Sequence, residues 1–444
     1  MALLLLPACR TEPQRVTDDG RKIVRFFILL ISTKQVEYFN WAEEEFERLN
    51  PDIDLQIEQF PGSSLKDYEV KLRLRFASGQ EPDAFGTHEN VVTELAKLGL
   101  LSPAPQDVVS LNEQTINEMA RRSPYTDGVS YGLTADAVWT AFYYNKDLYR
   151  EVGLDPERPP QTWEEWLDHG EQLTERTPDG RITRAGISLR KTGYKPGIAE
   201  KWMTFVYAAG GRGFTEDGTR ALFNSDAGRA ALEFYRQVLF ERQIDATYLE
   251  GDQQGFGQQV AATFVRESHV IRWLGENYPD LDFGVAQIPA QTTSYSAGGG
   301  YVYTVPKASP HQEEAWRWIK FLHSQDAYAR LLDLGGVVPT VASFAEQPEY
   351  RDDPHLSAFL NQPVHESESF PNVSRAMGIL GTYIEKFCYG QIEAQEMLDR
   401  AEEDVNAILL PNRIRAEREQ TGGAVGRGNG SEGQRSLGQD VAMN

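Results

Sequence analysis

The chain has 444 residues, 40% of them apolar, which is longer than a single core sustains and apolar enough for two. Its 66 acidic residues outnumber 44 lysines and arginines, and the resulting formal charge of −22 argues against nucleic acid or an anionic membrane surface as the main partner. Two cysteines, Cys9 and Cys388, exclude a disulfide framework.

The chain opens on the apolar run Ala2 to Leu6, then Pro7, Ala8 and Cys9. That order resembles the end of a bacterial lipoprotein signal peptide, in which Cys9 would be lipidated; a chance apolar N-terminus is the alternative. Residues 10–22 are polar and suit a tether. No other stretch approaches the ~20 apolar residues of a membrane span. Ile23 to Ile31 is an almost unbroken apolar run, which predicts a strand buried on both faces. Ser32 and Gln35 offer a capping box, and Val36, Phe39, Ala42, Phe46 and Leu49 line one helical face until Asn50-Pro51 stops it. Ile53, Leu55 and Ile57 alternate as a second strand, completing a strand-helix-strand crossover. A helix through Leu65, Tyr68, Leu72 and Phe76 stops at Gly79, and Pro82 to Phe85 begins a third strand. Ala137 to Tyr144 alternates again, a Pro-rich link follows at 155–160, and Thr162 to Trp166 starts a helix by a capping box.

Helical stretches at 198–208 and 226–241 flank the loop Gly210-Gly211-Arg212-Gly213, and Phe283 to Ile288 forms a strand. Gly298-Gly299-Gly300 then precedes the alternation Tyr301, Tyr303, Val305, so a glycine hinge feeds a strand. Ser309 as N-cap, Pro310 at the first helical position and Gln312 reaching back predict a helix to Leu322. Helices at 376–390 and 392–410 close the folded part, and beyond Pro411 the composition predicts disorder.

Phosphate-loop, hydrolase-elbow and zincin signatures are missing, and none of the seven histidines lies four residues from another, so neither a metal nor a cofactor is expected. The candidates for chemistry are loops at strand ends that combine polar and aromatic residues. They are Thr33 and Gln35, Phe60, His88 with Glu89 and Asn90, Asp136 to Trp139, His269 to Trp273, Tyr301 and Arg375. Aromatic faces pack on the C–H patches of a sugar ring, while carboxylates, amides and guanidinium groups bind its hydroxyls. Each has a plainer reading: His88 capping a turn, Trp139 and Trp273 in a core, Arg375 balancing Glu366 or Glu368.

Seven stretches, in order, resemble the extracellular solute-binding proteins of bacterial ABC importers, specifically the large maltose-binding-protein-like family that captures sugars and oligosaccharides. They are Phe46 to Ile57, Ala77 to Asp83, Tyr143 to Leu154, Pro159 to Glu165, Ala208 to Gly211, Gly298 to Leu322 and Gly390 to Leu410. The resemblance implies an α/β, two-lobed periplasmic-binding-protein fold of type II, its lobes joined by crossing hinge strands. Residues 1–22 would be signal remnant and tether, 23–135 plus 295–340 lobe one, 136–294 plus 341–411 lobe two, and 412–444 a disordered tail. It implies solute contacts at Thr33, Gln35, His88, Asp136, Val138, Trp139, the Ser268-His269 turn, Gly299, Tyr301 and Arg375, with Trp273 as a further platform. Many relatives carry an acid where His88 stands and tryptophans near His269 and at Tyr301, so the usual stacking platforms are partly replaced. The expected function is capture of a small polar solute, most simply a carbohydrate, by a monomer outside the cytoplasm. Its partners would be that solute and the permease's transmembrane subunits, with no nucleic acid and the membrane reached only through the lipid anchor. A carbohydrate-active enzyme and a same-fold binder of a non-sugar solute without a transport role are the alternatives.

Overall fold

The computed structural model describes residues 15–426 apart from 62–63, 117, 335 and 367–369; Cys9 and the end of the chain lie outside the described residues. Strand β1 (Lys22–Ile28), helix α1 (Thr33–Leu49) and strand β2 (Ile53–Gln59) form the expected crossover, β1 and β2 running parallel. Gln35 closes the cap in both directions: its N–H donates to Ser32 Oγ at 3.2 Å, and its Oε1 accepts from the Ile31 N–H at 2.9 Å. Helix α2 (Leu65–Ser78) ends on Gly79 at φ +67, and strand β3 (Ala84–His88) passes directly into helix α3 (Glu89–Lys97). Phe26 and Phe27 of β1 point into different cores. Phe26 meets Phe39, Tyr303 and Trp318, whereas Phe27 stacks on Tyr68 at 4.9 Å.

The chain then enters strand β4 (Gly132–Asn145), fourteen residues long and shared between two halves of the molecule. Helices α4 (Trp163–Leu173), α5 (Lys195–Ala208) and α6 (Asp226–Arg236) pack an aromatic core that includes Trp166, Trp202, Phe205 and Phe234. Strand β5 (Thr263–Glu267), helix α7 (His269–Asn277), strand β6 (Phe283–Ala286) and strand β7 (Ser296–Thr304) follow. Helix α8 (Gln312–Phe321) returns to the first core, where Trp318 meets Phe26 and Phe46 edge-on. Its cap differs from the expected one. His311 occupies the N-cap, while Ser309 donates to Asp83 Oδ1 at 2.7 Å and accepts the His311 N–H. After α9 (Gln325–Leu332) and strand β8 (Val364–Glu366) come helices α10 (Val373–Cys388) and α11 (Ala394–Gly426).

The main sheet has the order β6-β4-β7-β3-β1-β2, with β5 added to β4 and β8 to β7. From Gly132 to Trp139, β4 pairs with β7; from Thr140 onward it pairs with β5 on one side and β6 on the other. One strand therefore runs from the first α/β lobe into the second. Two expectations change. The three glycines are strand residues of β7 rather than a hinge before it, because their neighbours leave no room: a Cβ on Gly298 would stand 2.3 Å from Trp139 Cβ, and one on Gly300 would stand 2.5 Å from Ser123 Cβ. Helix α11 also continues through Pro411 to Gly426, and Asn412 anchors it by donating to the carbonyls of Gly218 and Pro371 at 3.0 and 2.8 Å.

These contacts set a stability prediction. Gly300→Ala should lower stability by about 1–3 kcal/mol, read as a lower urea midpoint at unchanged slope. Gly275→Ala on α7, where an added Cβ meets nothing within 4 Å, should be neutral or slightly stabilising. Equal midpoints for the two variants would contradict the packing account.

Candidate functional site

A cleft of about 2300 Å³ lies between the lobes. One wall is made by α2, α3 and the turn of the hairpin formed by Tyr125–Thr126 and Val129–Ser130; the other by the first turns of α5 and α10 and the loop after α5. Because α3 follows β3 without a loop, its first residues are delivered to the end of the sheet. Glu89 is buried there, and its Oε2 accepts from Ser123 Oγ and, at 2.8 Å, from the Gly300 N–H. The next residue reaches across: Asn90 Nδ2 donates to Ser374 Oγ at 3.2 Å, a hydrogen bond between α3 and α10.

On the first wall, the Arg73 guanidinium joins Glu69 at 3.3 Å and Glu94 at 2.8 Å. Tyr194 lies on the second wall, at the N-cap of α5. Burial, then the Glu69 carboxylate, then that of Glu200, raise its hydroxyl pKa, so the two walls stand within electrostatic reach. Tyr125 and Tyr194 are both half-buried and line the space, leaving ring area for a ligand. Among the described residues no group of three histidines, cysteines or acids could hold a metal ion.

Of the residues singled out from sequence, Glu89 and Asn90 on α3 and Arg375 on the first turn of α10 line this cleft. The register of β3, β7 and β4 brings three others together: Tyr301 pairs with both His88 and Asp136, and Gly299 lies opposite Val138. His88 sits edge-on to Tyr301 at 5.5 Å, and the Tyr301 hydroxyl donates to the Gly86 carbonyl at 2.9 Å, holding the ring against the sheet. His88, Asp136, Val138, Gly299 and Tyr301 do not line the cleft, and the rest are also elsewhere. Thr33 is exposed on α1, Gln35 is spent on the cap, and Phe60 packs edge-on to Phe27 and Tyr68. Trp139 is a core residue whose indole N–H donates to the Phe359 carbonyl at 2.9 Å, and Trp273 packs beside Tyr278. His269 begins α7 next to Glu267, which is paired with Lys201 and with Arg266.

The wall residues missed from sequence include Asn90's partner Ser374, Arg73, Tyr125 and Tyr194. For Tyr194 a signal existed: Pro196 marks the first turn of α5, which puts the cap at Tyr194 rather than near residue 198.

Residues 34–329 match the family model described as bacterial extracellular solute-binding protein, and the chain belongs to that family. Its members work outside the cytoplasm, and among the described residues no helix is long and apolar enough to cross a membrane. Among similar chains is the maltotriose-binding protein of Pyrococcus abyssi (strain GE5 / Orsay), 23% identical, with 84% of this chain and 78% of that one covered. A binding protein of Brucella abortus (strain 2308), named without a ligand, is 25% identical over 87% of this chain and 93% of its own. The fold is shared with the ABC transporter solute-binding protein of Thermotoga lettingae TMO bound with alpha-D-tagatose, at a TM-score of 0.78, 24% identity, and 87% and 100% coverage.

The charges behind the second wall set a pH dependence. Burial pushes the Glu267 carboxyl up, but Lys201 and Arg266 beside it hold it well below the usual range. Burial, partly countered by Glu267, takes His269 from 6.5 to about 3. Both folded values lie below the unfolded ones, so both contributions are present near neutrality and are lost on acidification. For His269 the loss runs from pH 6.5 down to about 3. Stability should therefore fall as pH drops below 6.5, His269 contributing about 1 kcal/mol per pH unit alongside His323, whose pKa burial also lowers, and His269→Gln should lessen the slope without abolishing it. An unchanged slope in the variant would contradict the assignment.

Proposed function

We propose that this protein is the receptor of an ABC importer, capturing a sugar or oligosaccharide between its lobes and delivering it to the permease's transmembrane subunits. The observation that carries this is the cleft itself: its two walls come from different lobes, and it sets tyrosine rings beside guanidinium, carboxylate and amide groups. Such a set suits a ligand with C–H faces and hydroxyl edges. The names of the relatives, one binding maltotriose and one solved with tagatose, point the same way.

The mechanism is closure about the crossing strands. Lobe one takes residues 23–135 with 295–340 and lobe two 136–294 with 341–411, and β4 and β7 carry the bend. A solute that touches Tyr125 and Arg73 on one side and Tyr194 and Arg375 on the other favours the closed state by its added contacts. Asn90 and Ser374 already join the two walls by a hydrogen bond across the cleft. The permease reads the closed face, and Cys9, lipidated, keeps the receptor at the membrane. Hydrolysis of a glycosidic bond would need an acid and a second carboxylate flanking it. Glu69 and Glu94 are instead tied to Arg73, and Glu89 is committed to Ser123 and Gly300, which favours binding over catalysis.

A thermal-shift screen over sugars, oligosaccharides, polyols and amino compounds tests the reading, since a ligand selective for the folded state raises the melting temperature. At least one saccharide should do so without being converted. Tyr194→Ala should weaken that saccharide about fivefold, with the free protein's melting temperature unchanged. Product formation would contradict the binding reading, and a response confined to non-sugar solutes would contradict the sugar reading.

A further inference from the structure

The cleft reverses the charge balance of the molecule. The chain as a whole carries −22, yet nine of the residues lining the cleft are lysine or arginine and seven are aspartate or glutamate. The reversal is unevenly placed. The lobe-one wall balances five cations, Lys66, Arg73, Lys97, Arg121 and Arg122, against five acids, with Arg73 paired to Glu69 and Glu94 and Glu89 turned inward, so the excess of positive charge lies on lobe two. On the lobe-two wall, Arg212, Arg375 and Arg415 are exposed and form no ion pair with another described residue. Lys195 beside them is paired with Glu385 at 2.5 Å. The acids of that wall are Glu216 and Asp217, and Asp217 is engaged in its own turn, accepting the Thr219 N–H at 3.1 Å and hydroxyl at 2.7 Å.

Unpaired guanidinium groups are planar forks that match a carboxylate or phosphate in two parallel hydrogen bonds, whereas a neutral hydroxyl uses only part of the fork. In a molecule this acidic, an anion is repelled everywhere except where cations gather, and a cleft with low-dielectric walls concentrates that local field. We propose that the solute is a sugar bearing a negative group, a carboxylate or a phosphate, with that group held by Arg212 and Arg375 of lobe two. The rings and hydroxyls of the same molecule lie against Tyr125, Asn90 and the Glu69-Arg73-Glu94 group of lobe one. This rests on the cleft being the solute site and names the class of solute it takes.

The test is calorimetric titration of the full chain with matched pairs: galacturonate trisaccharide against neutral galactotriose, and glucose 6-phosphate against glucose. At least one charged member should bind about tenfold or more tightly than its neutral counterpart, and the pair that shows it tells carboxylate from phosphate. The preference should shrink as ionic strength rises. Arg212→Gln and Arg375→Gln should each reduce it severalfold while leaving the free protein's melting temperature unchanged. Neutral members binding as tightly as charged ones would overturn the inference and leave the sugar-receptor reading standing. So would a charge preference that survives both substitutions. Binding of no saccharide, charged or neutral, would overturn both readings.

Discussion

The structure depends on one strand that belongs to two bodies. β4 begins as a neighbour of β7 in the first lobe and ends between β5 and β6 in the second, so the lobes share backbone hydrogen bonds rather than merely touching. The shared segment is possible only because β7 presents glycine where β4 presents Trp139. Any side chain at Gly298 would collide with Trp139 Cβ and the Val138 carbonyl, and the buried Trp139 ring is already fixed through its indole N–H. In the receptor proposed above, closure would bend the molecule at this joint.

The cleft follows from how helices leave the sheet. β3 passes straight into α3, which brings Glu89 and Asn90 to the sheet end, and Glu89 then ties the start of α3 to Ser123 and to the backbone of Gly300. On the far side α5 and α10 aim their first turns at the same space. The walls therefore stand on elements packed into separate cores, Phe27 and Tyr68 on one side and Trp166 and Phe205 on the other. Under the proposed receptor reading, a solute touching both walls would draw the two lobes together.

Much of this was legible in the residues. The apolar run at the start of the fold, the Ser32-Gln35 box and the alternation to Ile57 specify a local unit, and local units are written in nearest-neighbour pattern. Helices α10 and α11 were visible for the same reason, although α11 outlasts Pro411 because Asn412 finds tertiary partners that composition does not reveal. The site was harder. Trp139 and Tyr301 read from sequence as aromatic residues at strand ends, which is what a stacking platform looks like, but both lie inside strands, the indole sealed in a core and the phenol bonded to the Gly86 carbonyl. Which face of a strand looks into the cleft is set by long-range register, and Asn90 meeting Ser374 joins residues 284 positions apart. Arg375, Glu89 and Asn90 stand out by residue type, and the resemblance implies a solute contact at Arg375 as well.

Hydrogen exchange of the intact protein, with and without the saccharide that stabilises it most, tests most directly that the interlobe cleft is the binding site. The account predicts new protection on both walls at once, in the first turns of α3, α5 and α10. Protection confined to one lobe, or centred on the Ser32 to Val36 cap at the start of α1, would contradict it.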